Sequence, residues 1–259
     1  MTDFDAAVRG FAQLDEGGLG RPWPWRSGTM EVRYALYLTL EEGQAAHLRA
    51  AAEPHPESRR IVPLAQRAFG DLRGLLLGLP TELLDQVPRA GEWSVRETLQ
   101  HVLSVERRYA AQTVYAVERA DGDPVRMAED RMPTKQAAEV AGDIDAILAR
   151  LGEARAETDR GLGDLAPATL TRPTIWVKQD LDVRFRLHRF ASHLVEHTIQ
   201  CEKTLRAIGW PQTEGRRIVR RVTSVLGEIA GLGARDAARA IESSLVERWA
   251  SVRTALAGG

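Results

Sequence analysis

An all-α bundle is what this sequence predicts, on three observations. Helical spacing of apolar residues recurs along the whole chain, the breaks between periodic stretches are short and rich in Gly and Pro, and alternating strand patterns are nearly absent. At 259 residues the chain is long enough to bury a substantial core, and 44% hydrophobic with 27% charged residues is an ordinary globular balance. A formal charge of -1 argues against a general electrostatic role on nucleic acid or an anionic membrane. Of 35 basic residues only Lys135, Lys178 and Lys203 are lysine, so arginine–carboxylate pairs are expected on the surface. The single cysteine, Cys201, excludes an intrachain disulfide and suits a reducing compartment. With no basic-then-apolar leader and no apolar run approaching roughly 18 residues, a cytoplasmic protein is expected.

The first element is a short amphipathic stretch from Phe4 to Leu14, ended by Glu16-Gly17-Gly18. Arg21-Pro22-Trp23-Pro24-Trp25-Arg26 is too rich in Pro for a helix, and its two Trp are expected to strap an extended segment onto the body. A helical pattern from Thr29 to Ala52 stops at Pro54 and Pro56. Pro63 fits the first turn of the next helix, whose apolar stripe is Leu64, Ala68, Leu72, Leu75, Leu76 and Leu79. Ser94-Val95-Arg96-Glu97 reads as a capping box that opens a helix to about Ala120. Thr134, after Pro133, is expected to cap a helix to about Arg160 through Ala137, Val140, Ile144, Ile147, Leu148 and Leu151. Residues 164–180 lack helical periodicity and predict a loop or short hairpin. Helices over Leu181–Ile208, from Thr213 to Ala230 and over Ala234–Leu256 complete the chain. No internal repeat is expected, and without a low-complexity linker the two ends are expected to pack as extensions of one body.

Chemistry concentrates in Arg189-Phe190-Ala191-Ser192-His193-Leu194-Val195-Glu196-His197. Two histidines four residues apart lie one above the other on a helix. At about 100° per residue, His193 and His197 border the stripe of Leu187, Phe190, Leu194, Cys201 and Leu205 and face inward, whereas His188 points elsewhere. The same layout places His101 beside Val95, Thr98, Val102, Val105 and Tyr109 on the capped helix. His55 reads as a surface residue and His47 receives no role. A lone inward histidine is most simply a hydrogen-bonded core residue. Three of them without a common partner would each carry a desolvation cost, and facing helices are where bundles build metal sites, so a shared ion stands beside the bland reading.

Glu92-Trp93-Ser94-Val95-Arg96-Glu97-Thr98-Leu99-Gln100-His101, followed by the segment ending in His193 and His197, resembles the DinB/YfiT-like superfamily. That family includes mycothiol-dependent isomerases and bacillithiol S-transferases and is distinct from the DNA polymerase of the same name. The resemblance implies an up-down-down-up four-helix bundle over 60–210; residues 1–59 and 211–259 lie outside the family pattern and are expected to be helical extensions packed on it. It implies a zinc or nickel site at His101, His193 and His197, and frequently a homodimer. The chain departs from many members after His197, where Thr198-Ile199-Gln200-Cys201 replaces further His, Arg and Gly residues.

Three neutral imidazoles leave a tetrahedral ion one open position for water or a thiolate. The resemblance favours thiol S-transfer or isomerisation with mycothiol or another low-molecular-weight thiol as cosubstrate. A metal-dependent hydrolase and a non-catalytic metal-binding, stress-response or structural bundle are the alternatives. Glu97 is a candidate acceptor for the free N–H of His101 as well as a cap, Glu196 and Gln200 are candidates to orient bound water, and Arg189 is a candidate carboxylate binder. Cys201 reads as a buried small hydrophobe. The basic run Arg216-Arg217-x-x-Arg220-Arg221 reads as a solvated face or contact surface, with no nucleic acid or membrane partner expected.

Overall fold

The computed structural model describes residues 2–134 and 139–258. Among the described residues it is helical with two small hairpins: α1 (Asp3–Gln13), α2 (Glu16–Leu19), β1 (Pro22–Trp25), β2 (Gly28–Glu31), α3 (Arg33–Ala52), α4 (Glu57–Leu76), α5 (Val95–Glu118), α6 (Ile144–Leu162), β3 (Pro173–Trp176), β4 (Gln179–Asp182), α7 (Val183–Ala207), α8 (Glu214–Gly231) and α9 (Arg235–Ala257). Helices α4 and α5 each pack against both α6 and α7, which closes one four-helix bundle. The ends do more than extend it. Helices α1 and α3 each pack against both α8 and α9, so the terminal segments form a second helical group joined to the first along α4 and α8.

Local chemistry sets most boundaries. Ser94 Oγ accepts from the Glu97 N–H at 3.2 Å while Glu97 Oε2 accepts from the Ser94 N–H at 2.8 Å, the reciprocal box that starts α5. Asp182 caps α7 through the Phe185 N–H, 2.8 Å, and Thr213 caps α8 through the Arg216 N–H, 3.3 Å.

Three boundaries differ from expectation. The stretch before α3 pairs as β1–β2, so that helix starts at Arg33 rather than Thr29. Pro63 lies inside α4, not in its first turn. The turn before it is held by tertiary contacts: the Ser58 hydroxyl donates to the Gly163 carbonyl at 2.8 Å and accepts from the Leu165 N–H at 2.9 Å. The turn that would follow a cap at Thr134 lies outside the described residues, and of those that are described, 139–143 are not helical and α6 begins at Ile144. Gly142 has φ +92°, outside the helical region, and Asp143 caps α6 by accepting from the Ala146 N–H at 3.0 Å. Ala137 lies outside the described residues.

The expectation of no internal repeat is overturned. The two hairpins have one register: Pro22 pairs with Glu31 and Trp25 with Gly28, as Pro173 pairs with Asp182 and Trp176 with Gln179. Each turn carries a non-glycine residue at positive φ in the same place, Arg26 at 54° and Val177 at 56°. In each, the first residue of the following segment donates to the carbonyl before the hairpin, Val32 to Arg21 and Val183 to Arg172, both at 3.0 Å. The next helices repeat as well. Arg59-Arg60-Ile61-Val62 of α4 recurs as Arg216-Arg217-Ile218-Val219 of α8, and Gly70 and Gly74 recur as Gly227 and Gly231.

Those glycines bring α4 and α8 together. A Cβ at Gly70 would lie 2.2 Å from the Thr223 carbonyl oxygen, and one at Gly227 would lie 2.5 Å from that of Gln66. Thr223 and Gln66 occupy the same place in the repeat, so the contact is reciprocal, as in an interface built about a two-fold axis.

Candidate metal centre

His101 sits in the second turn of α5, positioned by the Ser94–Glu97 cap, while His193 and His197 sit one turn apart on α7. The three rings converge. One ligand nitrogen from each lies within 4.8 Å of the others, and His193 Nε2 is 3.3 Å from His101 Nε2. His193 and His197 are each 6% exposed, and His101 is half-buried at the edge. Two nitrogens facing one another at that distance need a shared proton or a shared cation between them.

Electrostatics favours acceptor nitrogens. Burial, followed by the charges of His197, His101 and Arg189, pushes the His193 pKa down to about 3. Burial and then His197 also lower that of His101, against a smaller opposing pull from Glu196. A neutral imidazole is the form that ligates a metal, and this donor set fits a tetrahedral ion with one position left for a ligand.

Around the triad, His197 Nδ1 donates to Gln200 Oε1 at 2.8 Å, which leaves Nε2 as the free acceptor. Gln200 therefore stands where an orienting partner belongs. If His197 binds a metal, Gln200→Leu is expected to weaken metal affinity roughly 10- to 100-fold. A chelator-competition titration checks this, and unchanged affinity would remove Gln200 from the site. Tyr109 stacks obliquely on His193 at 5.7 Å and accepts from Trp176 Nε1 at 2.9 Å, tying the β3–β4 hairpin to the site.

The other candidates fall differently. Glu97 is exposed and its carboxylate is engaged by the Ser94 N–H. Glu196 is exposed and accepts from Arg189 at 3.3 Å. Arg189, one turn before His193 and partly buried, lies over the Trp176 ring at 4.6 Å and also donates to Ser192. His188 is exposed, and His47 faces Glu228 at 3.4 Å. Cys201 is fully buried and its thiol is pushed up to about 12, so it is protonated and inert at neutral pH. Of the basic run, Arg216 is buried over Trp210 and Arg220 is bound by Asp71 and Glu202, which leaves only Arg217 and Arg221 exposed.

His197 and Gln200 open onto a cleft of about 630 Å³ whose walls include Arg89, Glu92, Trp93 and Lys203. None of these four is among the site residues that the sequence motifs point to. They come from the loop before α5 and from the far end of α7, and only Trp93, inside the conspicuous Trp-Ser segment, offered a signal. A larger cleft of about 670 Å³ lies elsewhere, between α5, α6 and the segment around Met127, and none of the three histidines lines it.

The class so defined is a helical bundle with three converging histidines beside an open cleft. Residues 64–201 match the family model of the DinB superfamily, more than half the chain, and the chain belongs to that superfamily. Three chains of solved structure match. One is YfiT from Bacillus subtilis, described as a probable metal-dependent hydrolase with an unusual four-helix bundle topology. It shares 17% identity over 61% of this chain and 92% of its own, with a TM-score of 0.49. No curated protein matches the chain. Among the described residues, no helix is long and apolar enough to cross a membrane.

Proposed function

We propose that this protein is an enzyme that holds a divalent metal ion, zinc or nickel, at His101, His193 and His197. It uses that ion to activate a low-molecular-weight thiol, mycothiol or a relative, for S-transfer or isomerisation. The observation that carries the reading is the convergence of three imidazole nitrogens within 4.8 Å beside an open cleft. When bound, the ion supplies the positive charge that keeps a thiol deprotonated at neutral pH. The chain's own residues do the rest. Gln200 Oε1 accepts a hydrogen bond from His197 Nδ1 and fixes its ring. Trp93 offers an apolar wall, and Arg89 and Lys203 place positive charge beside an anionic cosubstrate. Arg89 and Lys203 line this cleft and are candidates to bind a substrate carboxylate there, while Arg189, paired with Glu196 and lying over Trp176, does not line it.

Glu92 in the same cleft favours one second reading, hydrolysis with this carboxylate as the base. Elemental analysis of purified protein, with His193→Ala beside it, tests the site. Wild type is expected to retain a first-row transition metal and the variant to lose it, and an equal metal content in both overturns the assignment. Thiol consumption with mycothiol, bacillithiol and glutathione against electrophiles, run beside ester hydrolysis, then decides the chemistry. Metal-dependent turnover of esters alone selects the hydrolase, and no turnover in either assay selects a non-catalytic metal-binding bundle.

A further inference from the structure

The repeat extends to the site. On α7, His193 and His197 occupy the places that Glu42 and Ala46 occupy on α3, because the hairpins that precede the two helices share one register. The match between α5 and α9 is fixed by two contacts. Gln112 of α5 reaches Thr174 of the second hairpin at 3.5 Å, and Ser251 of α9 accepts from Trp23, the equivalent residue of the first, at 3.0 Å. At the same spacing Tyr109, bonded to Trp176, answers to Arg248, which lies 5.3 Å from the Trp25 ring. That alignment puts Ala240 in the place of His101.

The triad is therefore replaced by Ala240, Glu42 and Ala46, and an ion pair between a buried arginine, Arg248, and the exposed Glu42 stands there instead. Arg248 is 4% exposed, donates to Thr39 Oγ1 at 2.6 Å and also donates to Glu42. Each helical group draws two helices from each repeat: α4 and α5 join α6 and α7, and α8 and α9 join α1 and α3. The α4–α8 contact between the groups is reciprocal at Gly70 and Gly227, and again at Gly74 against Arg220 and Gly231 against Pro63.

We infer that the chain is a fused pseudo-dimer, in which one bundle keeps the three-histidine centre and the other has exchanged it for the Arg248–Glu42–Thr39 cluster. The α4 face is a subunit interface, and its partner is the second bundle of the same chain. The architecture stands independently of the metal reading, while the stoichiometry rests on it.

Two measurements test this. Light scattering on the full chain is expected to give the mass of one chain, 28.6 kDa, and a dimer overturns the inference. Cobalt titration followed by visible absorption is expected to saturate at one equivalent for wild type. It is expected to saturate at two for the combined variant Glu42→His, Ala46→His, Ala240→His and Arg248→Tyr. Adding His193→Ala to that variant should leave one equivalent, held by the rebuilt centre. Two equivalents in wild type, or one in a combined variant with native circular dichroism, overturn the vacated-site assignment. If wild type binds none, the metal reading fails by itself, and the mass still decides the fused pair. If the combined variant does not fold, wild-type mass and wild-type stoichiometry still decide.

Discussion

Glu106→Ala is expected to destabilise the fold by about 3–5 kcal/mol, because it strands a buried guanidinium. Glu106 is 4% exposed, and its Oε1 accepts from Arg155 Nη1 and from the Thr158 hydroxyl, both at 2.6 Å. Arg155 is 2% exposed and lies 5.5 Å from the Phe190 ring. Its Nε and Nη2 already lack hydrogen-bond partners among the described residues, so the Glu106 bond is its main compensation. For a domain whose whole stability is about 5–15 kcal/mol, such a loss is severe. At the matching position of the second repeat α9 carries Leu245, which is fully buried. The double replacement Glu106→Leu with Arg155→Met should therefore recover most of the loss, as it does when a buried pair gives way to well-packed apolar residues. Urea denaturation of the three proteins is the check. A loss below about 1 kcal/mol for Glu106→Ala would mean that water reaches Arg155.

The histidine cluster was legible because helix periodicity alone aims residues: once α5 and α7 were placed, His101, His193 and His197 had to border the buried stripes, and His188 had to miss them. The Ser94–Glu97 cap was legible for the same local reason. What was lost depended on contacts distant in sequence. Pro63 looked like a helix start because nothing nearby shows that Gly163 and Leu165 will hold the turn before it through Ser58. Nothing local to Arg189 shows that the hairpin will bring Trp176 beneath it. The repeat was present as Arg-Pro-x-x-Trp at Arg21 and Arg172 and as Arg-Arg-Ile-Val at Arg59 and Arg216. It was hidden because the matched positions are few and the histidines, the most conspicuous residues, occur in only one copy.

Gly70→Leu is expected to cost at least the upper end of the about 1–3 kcal/mol typical of overpacking, since the obstacle is backbone. Its Cβ would meet the Thr223 carbonyl oxygen at 2.2 Å and the Ser224 Cα at 2.9 Å, so no rotamer change relieves the clash and α4 must move away from α8. Gly70→Ala meets the same atoms with a smaller group. It isolates the point, because the substitution would otherwise gain about 1 kcal/mol in helix propensity. Gly227→Ala, with its Cβ 2.5 Å from the Gln66 carbonyl oxygen, should show a loss of the same sign and similar size. Gly152→Ala in α6 supplies the contrast. Its nearest neighbours are ring atoms of Phe69 at 3.7 Å, an ordinary contact, so the propensity gain should survive and the protein should become more stable. Thermal and urea unfolding of the four variants measure these signs directly. Stabilisation by Gly70→Ala or Gly227→Ala would show that α4 and α8 do not meet at these glycines, and the reciprocal interface would fall with them. Losses at both sites beside a gain at Gly152 would place the constraint in the contact between the two repeats rather than in the helices themselves.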